Sequence, residues 1–415
     1  MTQHRKGPPP SDNPLPAWLF EKPEPAMEKP IIVQKYGGSS VADPDRLRLV
    51  AKRVSDTVKQ GNRVVVVVSA MGKTTDQLIA LAKSVCTSPP RRELDMLMSS
   101  GERISMALLA MALSDLGHDA ISFTGSQSGI LTNDRHSGAR IIEIRPVRIL
   151  DELDRDRIVI VAGFQGMSYR REVTTLGRGG SDTTAVALSA ALSADCEIYS
   201  DVDGVYSADP RVVADARHLP SIGTRQMQEL ADHGAKVLNA QAVEWAARAG
   251  IVIYARKTHG SAKQTLIRSD DEAPIERGRA TAVTGTNQIV EIQSRHGAAI
   301  LRVLGEHGVS LRHVGLCGEM LEVALTLEDL PDFGRTLDEL RTVDPDLVLR
   351  DDLGMVTAVG PGIGSDPVLL GRLLSQLRDA GLVPSRVTTS PLRISVWLPK
   401  DVVGDATRLL HALLC

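Results

Sequence analysis

From Ile31 onward the chain alternates short apolar runs with longer amphipathic stretches. The runs "IIVQKYG" and "RVVVVVSAM" are rich in β-branched residues, apolar at successive positions, and end in small residues. A strand with one solvated face would alternate, so this pattern predicts strands buried on both faces of a parallel sheet. Between them, Asp43 to Gln60 spaces its apolar residues as an amphipathic helix does. "DRIVIVAGFQG" and "DCEIYSDVDG" repeat the strand-then-glycine design, and "SDTTAVALSAALSA" predicts a helix packed on the sheet. Strand, loop and helix in this order predict an α/β fold, an αβα sandwich whose ligands gather beyond the carboxyl ends of the strands.

The pattern changes near Ile267. The charged stretch "RSDDEAPIERGRATA" predicts a linker, and beyond it the glycine-rich loops with clustered polar groups stop. Two smaller units follow, 281–350 and 354–415, behind a larger unit at 31–267. In the second, "GMVTAVG", "DPVLLGRLLSQLRDAGL", "SRVTTSPLRISVWLP" and "DVVGDATRLLHALL" predict β-α-β-β-α. In the first, "NQIVEIQ", "GAAILRVLGEHGV", "EMLEVALTL" and "LPDFGRTLDELRTV" follow the same rhythm. Tandem small units behind a larger one point to ligand sensing or oligomerisation. Residues 1–30 are Pro-rich and lack the continuous apolar core of a secretory signal. They are expected to be disordered, with Trp18, Leu19 and Phe20 as a candidate docking element.

Composition narrows the picture. With 415 residues the chain has room for two or three domains. Aromatic residues make up only 3%, so the cores must be built from Val, Leu, Ile, Ala and Met. A net charge of −3 with interspersed signs gives no electrostatic footprint for nucleic acid. The longest apolar runs, such as Ile104 to Leu113, are too short to span a bilayer. Cys86, Cys196, Cys317 and Cys415 lack metal-ligand spacing and suggest reduced thiols in a cytoplasmic protein.

The chemistry is concentrated in the strand-end loops. "QKYGGSS" places Lys35, Gly37, Gly38, Ser39 and Ser40 between a strand and a helix. Glycines there allow backbone amides to approach a phosphate, and the lysine adds a mobile charge. The lysine precedes the glycines, so this is not a Walker loop, and a simple turn has the same pattern. "VSAMGKTTD" is a second such loop, equally readable as a solvated surface turn. "SSGERIS" supplies Glu102 just before an apolar helix, either to favour the helix start or to bind an ammonium group. In "TTLGRGGSD", glycines flank Arg178 and leave its guanidinium open for a bidentate grip on a carboxylate. Asp182 is expected to cap the following helix, to receive an ammonium, or both. "YSDVDGVYSADPR" gathers Ser200, Asp201, Tyr206, Asp209, Pro210 and Arg211, a mixture that suits a base, a ribose and phosphates; Asp203-Gly204 reads as a turn. Lysines and glycine loops suit a polyphosphate, while Arg178, Glu102 and Asp182 suit a zwitterionic amino acid. A kinase acting on a carboxylate needs no strong general base, which fits a set without Ser-His-Asp or Cys-His pairing.

These loops resemble those of the aspartate kinases within the amino-acid kinase family. "KYGGSS" is similar to that family's Lys-Phe-Gly-Gly-Thr-Ser, and "VSAMGKTTD", "SSGERIS", "VAGFQG", "TTLGRGGSDTTA" and "DVDGVYSADPR" match in order and spacing over 31–260. The resemblance implies two C-terminal ACT regulatory domains of ferredoxin-like α+β form, with "VTTSPLRISVWL" as a strand pair of the second. It implies phosphorylation of the aspartate side chain by ATP with Mg2+. Lys35 and Asp182 are then catalytic. Ser40, Glu102, Thr175, Arg178 and Asp182 hold the amino acid, Arg178 on its α-carboxylate and Glu102 and Asp182 on its α-ammonium. Lys35, Gly37, Gly38, Ser39, Ser200, Asp201, Tyr206, Arg211 and Lys236 hold the nucleotide. A homodimer or dimer of dimers is implied, with an amino-acid effector at the ACT units.

Three segments depart from the family pattern. The family's Lys-Val-Leu-His-Pro-Arg reads "KVLNAQ", placing Asn239, Ala240 and Gln241 where His, Pro and Arg stand. "QSRHGAAILRVL" lacks the Pro-Gly that opens the helix of the first ACT unit, and Thr-Ser-Glu in the second reads "TSP", with Pro391. Weakened or altered feedback by lysine or threonine is therefore expected, as in a paralogue serving a specialised pathway. The alternatives are a kinase for another acidic amino acid, or a non-catalytic regulatory protein on a decayed kinase. Survival of Lys35, Glu102, Arg178 and Asp182 weighs against the last.

Overall fold

A computed structural model of the chain describes residues 29–270, 278–309, 311–327 and 333–415. The expected disordered tail, with Trp18 to Phe20, and the centre of the expected linker lie outside these residues. The larger unit is built on an eight-stranded sheet. Its order runs Ser221–Gly223, Gln264–Arg268, Ile253–Lys257, Asp195–Ser200, Ile31–Tyr36, Arg63–Val68, Ile158–Ala162, Ala120–Phe123. Every pairing in it is parallel except that between Ile253–Lys257 and Gln264–Arg268.

The central strands are apolar on both faces because both faces are covered. Val33, Val65, Val67, Val159 and Val161 pack with helices Val147–Leu153, Gly180–Leu192, Thr224–Asp232 and Ala240–Ala249. Their neighbours Val64, Val66, Val68, Ile158 and Ile160 face helices Pro44–Lys59 and Arg91–Asp115 instead. Asp43 caps the helix predicted from Asp43 to Gln60, accepting from the Arg46 amide. By length and composition Arg91–Asp115 is also long and apolar enough to cross a membrane. Here it buries Leu109 and Leu113 against the sheet. A smaller four-stranded sheet, including Gln165–Ser168 and Val173–Thr175, leads the chain to the "LGRGG" loop.

The C-terminal part forms two four-stranded sheets with helices, and their division differs from the expected one. Strand Ala282–Thr286, counted above with the first unit, pairs antiparallel with Leu353–Val359 in the sheet of the second. Among the described residues, the first sheet therefore contains His313–Cys317, Met320–Thr326, Ile289–Ser294 and Val348–Arg350. The first unit is thus an insertion between two adjacent strands of the second. Sequence order hid this because the inserting strand stands directly before the insert. Ile289 and Ala324 of one sheet pack on Leu353, Met355 and Trp397 of the other. Arg386 spans the same interface, paired with Glu291 at 2.9 Å and with Glu322. Both units are tied to helix Thr224–Asp232, through Arg393–Glu229 at 3.0 Å and Arg312–Asp232 at 2.9 Å.

Candidate active site

Strand periodicity decides where Lys35 points. Successive side chains of Ile31–Tyr36 alternate faces, so Lys35 shares the face of Val33, toward helix Gly180–Leu192. Its Nζ lies 2.6 Å from Asp182 Oδ1, and both side chains are nearly buried. Asp182 is not the helix cap that its position suggested. Gly179 is the N-cap, in the left-handed region at φ 69°, and Asp182 is in the first turn. Its carboxylate is thereby free of capping, and the positive helix end favours its charge. Of the glycine amides, that of Gly37 is already engaged, donating to the Tyr199 carbonyl at 3.2 Å. Those of Gly38 and Ser39 open the 3-10 turn Gly38–Val41, where helical geometry leaves first-turn amides without an intrahelical partner. The Gly72 amide donates to the Gly38 carbonyl at 3.0 Å, docking the "VSAMGK" loop on the first loop.

Glu102 lies well inside helix Arg91–Asp115 rather than ahead of a helix. Gly101, next to it in the same helix, serves close packing: a Cβ there would lie 2.8 Å from that of Ala70. Glu102 Oε1 accepts from the Ala70 amide at 3.1 Å, while Oε2 is buried with no hydrogen-bond partner. Burial pushes the Glu102 carboxyl up to about 7, against the hydrogen bond from the Ala70 amide that lowers it.

Arg178 is exposed, and no hydrogen bond or ion pair occupies its guanidinium among the described residues. The loop that carries it is anchored from an unexpected side. Asp95, fully buried, accepts from the Thr175 hydroxyl at 2.6 Å and amide at 3.2 Å. It also accepts from the Ser137 amide at 3.1 Å and contacts His136 Nδ1 at 2.9 Å. Asp95, His136 and Ser137 escaped the sequence reading. The available signal was spacing, since Asp95 precedes Glu102 by seven residues and shares its helix face. Thr175 is thus held by Asp95. The Ser40 hydroxyl is 2.6 Å from that of Thr258, which in turn donates to the Ser200 carbonyl.

Of the expected nucleotide residues, Ser200, Asp201, Tyr206 and Arg211 stand at or after the end of strand Asp195–Ser200, whose Tyr199 carbonyl accepts from the Gly37 amide. The Tyr206 hydroxyl donates to Asp203 at 2.9 Å, and its ring meets His218 edge-on at 5.3 Å. Asp203 is therefore more than a turn residue; it also accepts from Ser261 at 3.0 Å. The Ser200 hydroxyl is engaged locally with Val202, and Asp201 is exposed. Arg211 is gripped by Asp209, with Nη2 to Oδ2 at 2.7 Å, and this pairing holds the Asp209 carboxyl below its ordinary value. Exposed Lys236 lies close enough to Asp209 to contribute to that lowering.

Residues 30–256, which hold Lys35, Glu102, Arg178, Asp182 and the expected nucleotide residues, match the amino acid kinase family. The chain belongs to that family. Within it the relatives are aspartokinases. The enzyme so named from Mycolicibacterium smegmatis is 43% identical over 400 residues, covering 92% of this chain and 95% of its own. That from Geobacillus stearothermophilus is 42% identical over 395 residues, covering 92% and 96%. The similarity therefore continues through the C-terminal units. Among solved structures, E. coli aspartokinase III in complex with aspartate and ADP superposes with a TM-score of 0.80. It covers 92% of this amino acid kinase and 99% of its own chain at 23% identity, a likeness of fold.

Proposed function

We propose that this chain transfers the γ-phosphoryl group of ATP to the side-chain carboxylate of L-aspartate, giving 4-phospho-L-aspartate and ADP. The observation that carries this reading is the unpartnered, buried Oε2 of Glu102. A buried carboxylate without a partner is costly, and the α-ammonium of an amino acid completes it. Arg178 presents its open fork to the α-carboxylate. Asp182 is already paired with Lys35, so we assign it first to orienting the lysine and leave the ammonium mainly to Glu102. Thr175 and Ser40 shape the amino-acid side while their hydroxyls remain tied to Asp95 and Thr258.

The acceptor carboxylate is ionised at neutral pH, so no base is required. Its oxygen forms a bond to the γ-phosphorus as the bond from that phosphorus to the β–γ bridging oxygen breaks. The electron pair leaves with ADP, and no proton moves. Lys35, with the Gly38 and Ser39 amides, neutralises charge on the transferring group. Ser200, Asp201, Tyr206 and Lys236 line the nucleotide, and Arg211 reaches a phosphate by exchanging Asp209 for it. Among the described residues no group of three or more His, Cys, Asp or Glu forms a metal cage. Asp182 would offer a hard oxygen to a Mg2+ ion carried by the triphosphate, which would help neutralise the phosphate charge.

The reaction belongs in the cytoplasm, where ATP is available and the four free thiols stay reduced. The protein works as a homodimer or dimer of dimers. Feedback is weakened or altered. Two features support this: helix Gly297–His307 begins at His296 with no side-chain cap, and Pro391 removes an amide at its turn while its carbonyl accepts from Gly362. Trapping the acyl phosphate with hydroxylamine tests the main reading. Aspartate, offered among a panel of acidic amino acids, should yield the hydroxamate and release ADP; no hydroxamate from aspartate would defeat it. Full inhibition by lysine or threonine would defeat the feedback reading alone.

A further inference from the structure

Asn239 stands in the "KVLNAQ" segment that departs from the family pattern, and its contacts run to the amino-acid side. Its Nδ2 donates to the Arg178 carbonyl at 3.0 Å. Its Oδ1 accepts from the Gln241 amide at 2.9 Å, capping helix Ala240–Ala249, and from the Thr183 hydroxyl at 3.4 Å. An N–H donor on one side and a carbonyl acceptor on the other fix which way the amide points. The approach is close: a Cβ on Gly179 would lie 2.4 Å from Asn239 Nδ2. One side chain thus binds three elements: the helix that opens at Ala240, the loop carrying Arg178, and the helix carrying Asp182.

We propose that Asn239 is a positioning residue for aspartate, setting the Arg178 guanidinium through the backbone carbonyl of Arg178 itself. This inference rests on the assignment of Arg178 to the α-carboxylate. Arg178 has glycines on both sides, and both lie at positive φ, 78° for Gly177 and 69° for Gly179. Glycine backbone is soft, so the loop needs an external hold to present the guanidinium in one place. Among the described residues, the Asn239 amide is the side-chain donor to the Arg178 carbonyl.

The test separates capping from holding. Asn239→Asp keeps an acceptor for the Gln241 amide and suits a helix start, but it turns a carboxylate oxygen toward the Arg178 carbonyl in place of a donor. Its urea midpoint should match the parent, while its KM for aspartate should rise roughly 3- to 10-fold, the loss of one hydrogen bond. Its KM for ATP should stay within about 2-fold, below what one lost hydrogen bond produces. Asn239→Ala should lower the urea midpoint as well. Arg178→Ala should raise the aspartate KM further, and adding Asn239→Asp to it should cost nothing more, because the two act through one contact. An unchanged aspartate KM in Asn239→Asp, beside a raised one in Arg178→Ala, would overturn the inference and leave the clamp intact. Additive effects in the double variant, or equal rises in both KM values, would overturn it too. An unchanged aspartate KM in Arg178→Ala would remove the clamp assignment and the inference together.

Discussion

Two neighbouring residues of one strand, Gln34 and Lys35, open onto opposite faces of the sheet and into contrasting surroundings. Under the Gln34 face, Glu197 is bound by Gln34 at 2.8 Å, by the Tyr199 hydroxyl at 2.9 Å, and by Arg256. The Tyr36 hydroxyl donates to Gln34 at 3.1 Å, and the Tyr36 and Tyr199 rings stack at 4.8 Å. Polar chemistry is abundant there, and these groups satisfy one another. On the Lys35 side, Glu102 keeps one buried oxygen unpartnered and Arg178 has no mate among the described residues. The lesson is that buried charge alone does not mark a site. Charge that the protein leaves incomplete does.

Substitutions on each side should break in different currencies. The largest effect is expected from Lys35→Met, which removes the charge that the proposed mechanism sets against the transferring phosphoryl group. Its kcat should fall on the order of 10³-fold, about 4 kcal/mol, with smaller changes in both KM values. A fall confined to the ATP KM would demote Lys35 to a binding group. Glu197→Ala should act on stability instead, costing about 3 kcal/mol in urea denaturation because it leaves Arg256 partly buried and unpaired. If that variant lost activity at unchanged stability, the contrast between the two faces would be wrong.

Glu102→Gln comes next, with about 2 kcal/mol lost from aspartate binding as a charged hydrogen bond goes. The Glu102 carboxyl, raised by burial to about 7, must ionise to receive an ammonium. Aspartate should therefore bind the parent more tightly as pH rises through 7, and the glutamine variant should lose that dependence. A raised carboxyl stabilises the ligand-free protein below its unfolded value and forfeits that stability as pH climbs to 7. The ligand-free glutamine variant should thus be as stable as the parent near pH 4, below the unfolded carboxyl value, and more stable at pH 8, measured by thermal melting. Equal melting at both values would contradict an unpartnered Oε2. The smallest effect is Tyr36→Phe, about 1 kcal/mol of stability for one buried hydrogen bond, with kinetics untouched.

Much of the larger unit was legible because its signals are local. The doubly apolar "RVVVVV" run required two covered faces, and the strand-end glycines located the loops. What stayed hidden depends on contacts between distant residues. Glu102 looks like a helix start until Gly101 is placed against Ala70. Asp95 looks like a surface acid until Ser137 and Thr175 close over it. Asp182 looks like a cap until Lys35 claims it. Strand Ala282–Thr286 reads as the start of the unit that follows it, and only pairing shows that it belongs to the next.

That pairing makes the first C-terminal unit a cassette. Thr286 faces Met355 across the antiparallel ladder, so the chain leaves for the insert and re-enters at nearly the same place. A tight hairpin joining those two strands would delete the insert and preserve the ladder of the unit that hosts it. The same two endpoints would accept a different unit of similar span, exchanged without redrawing the sheet that supports it.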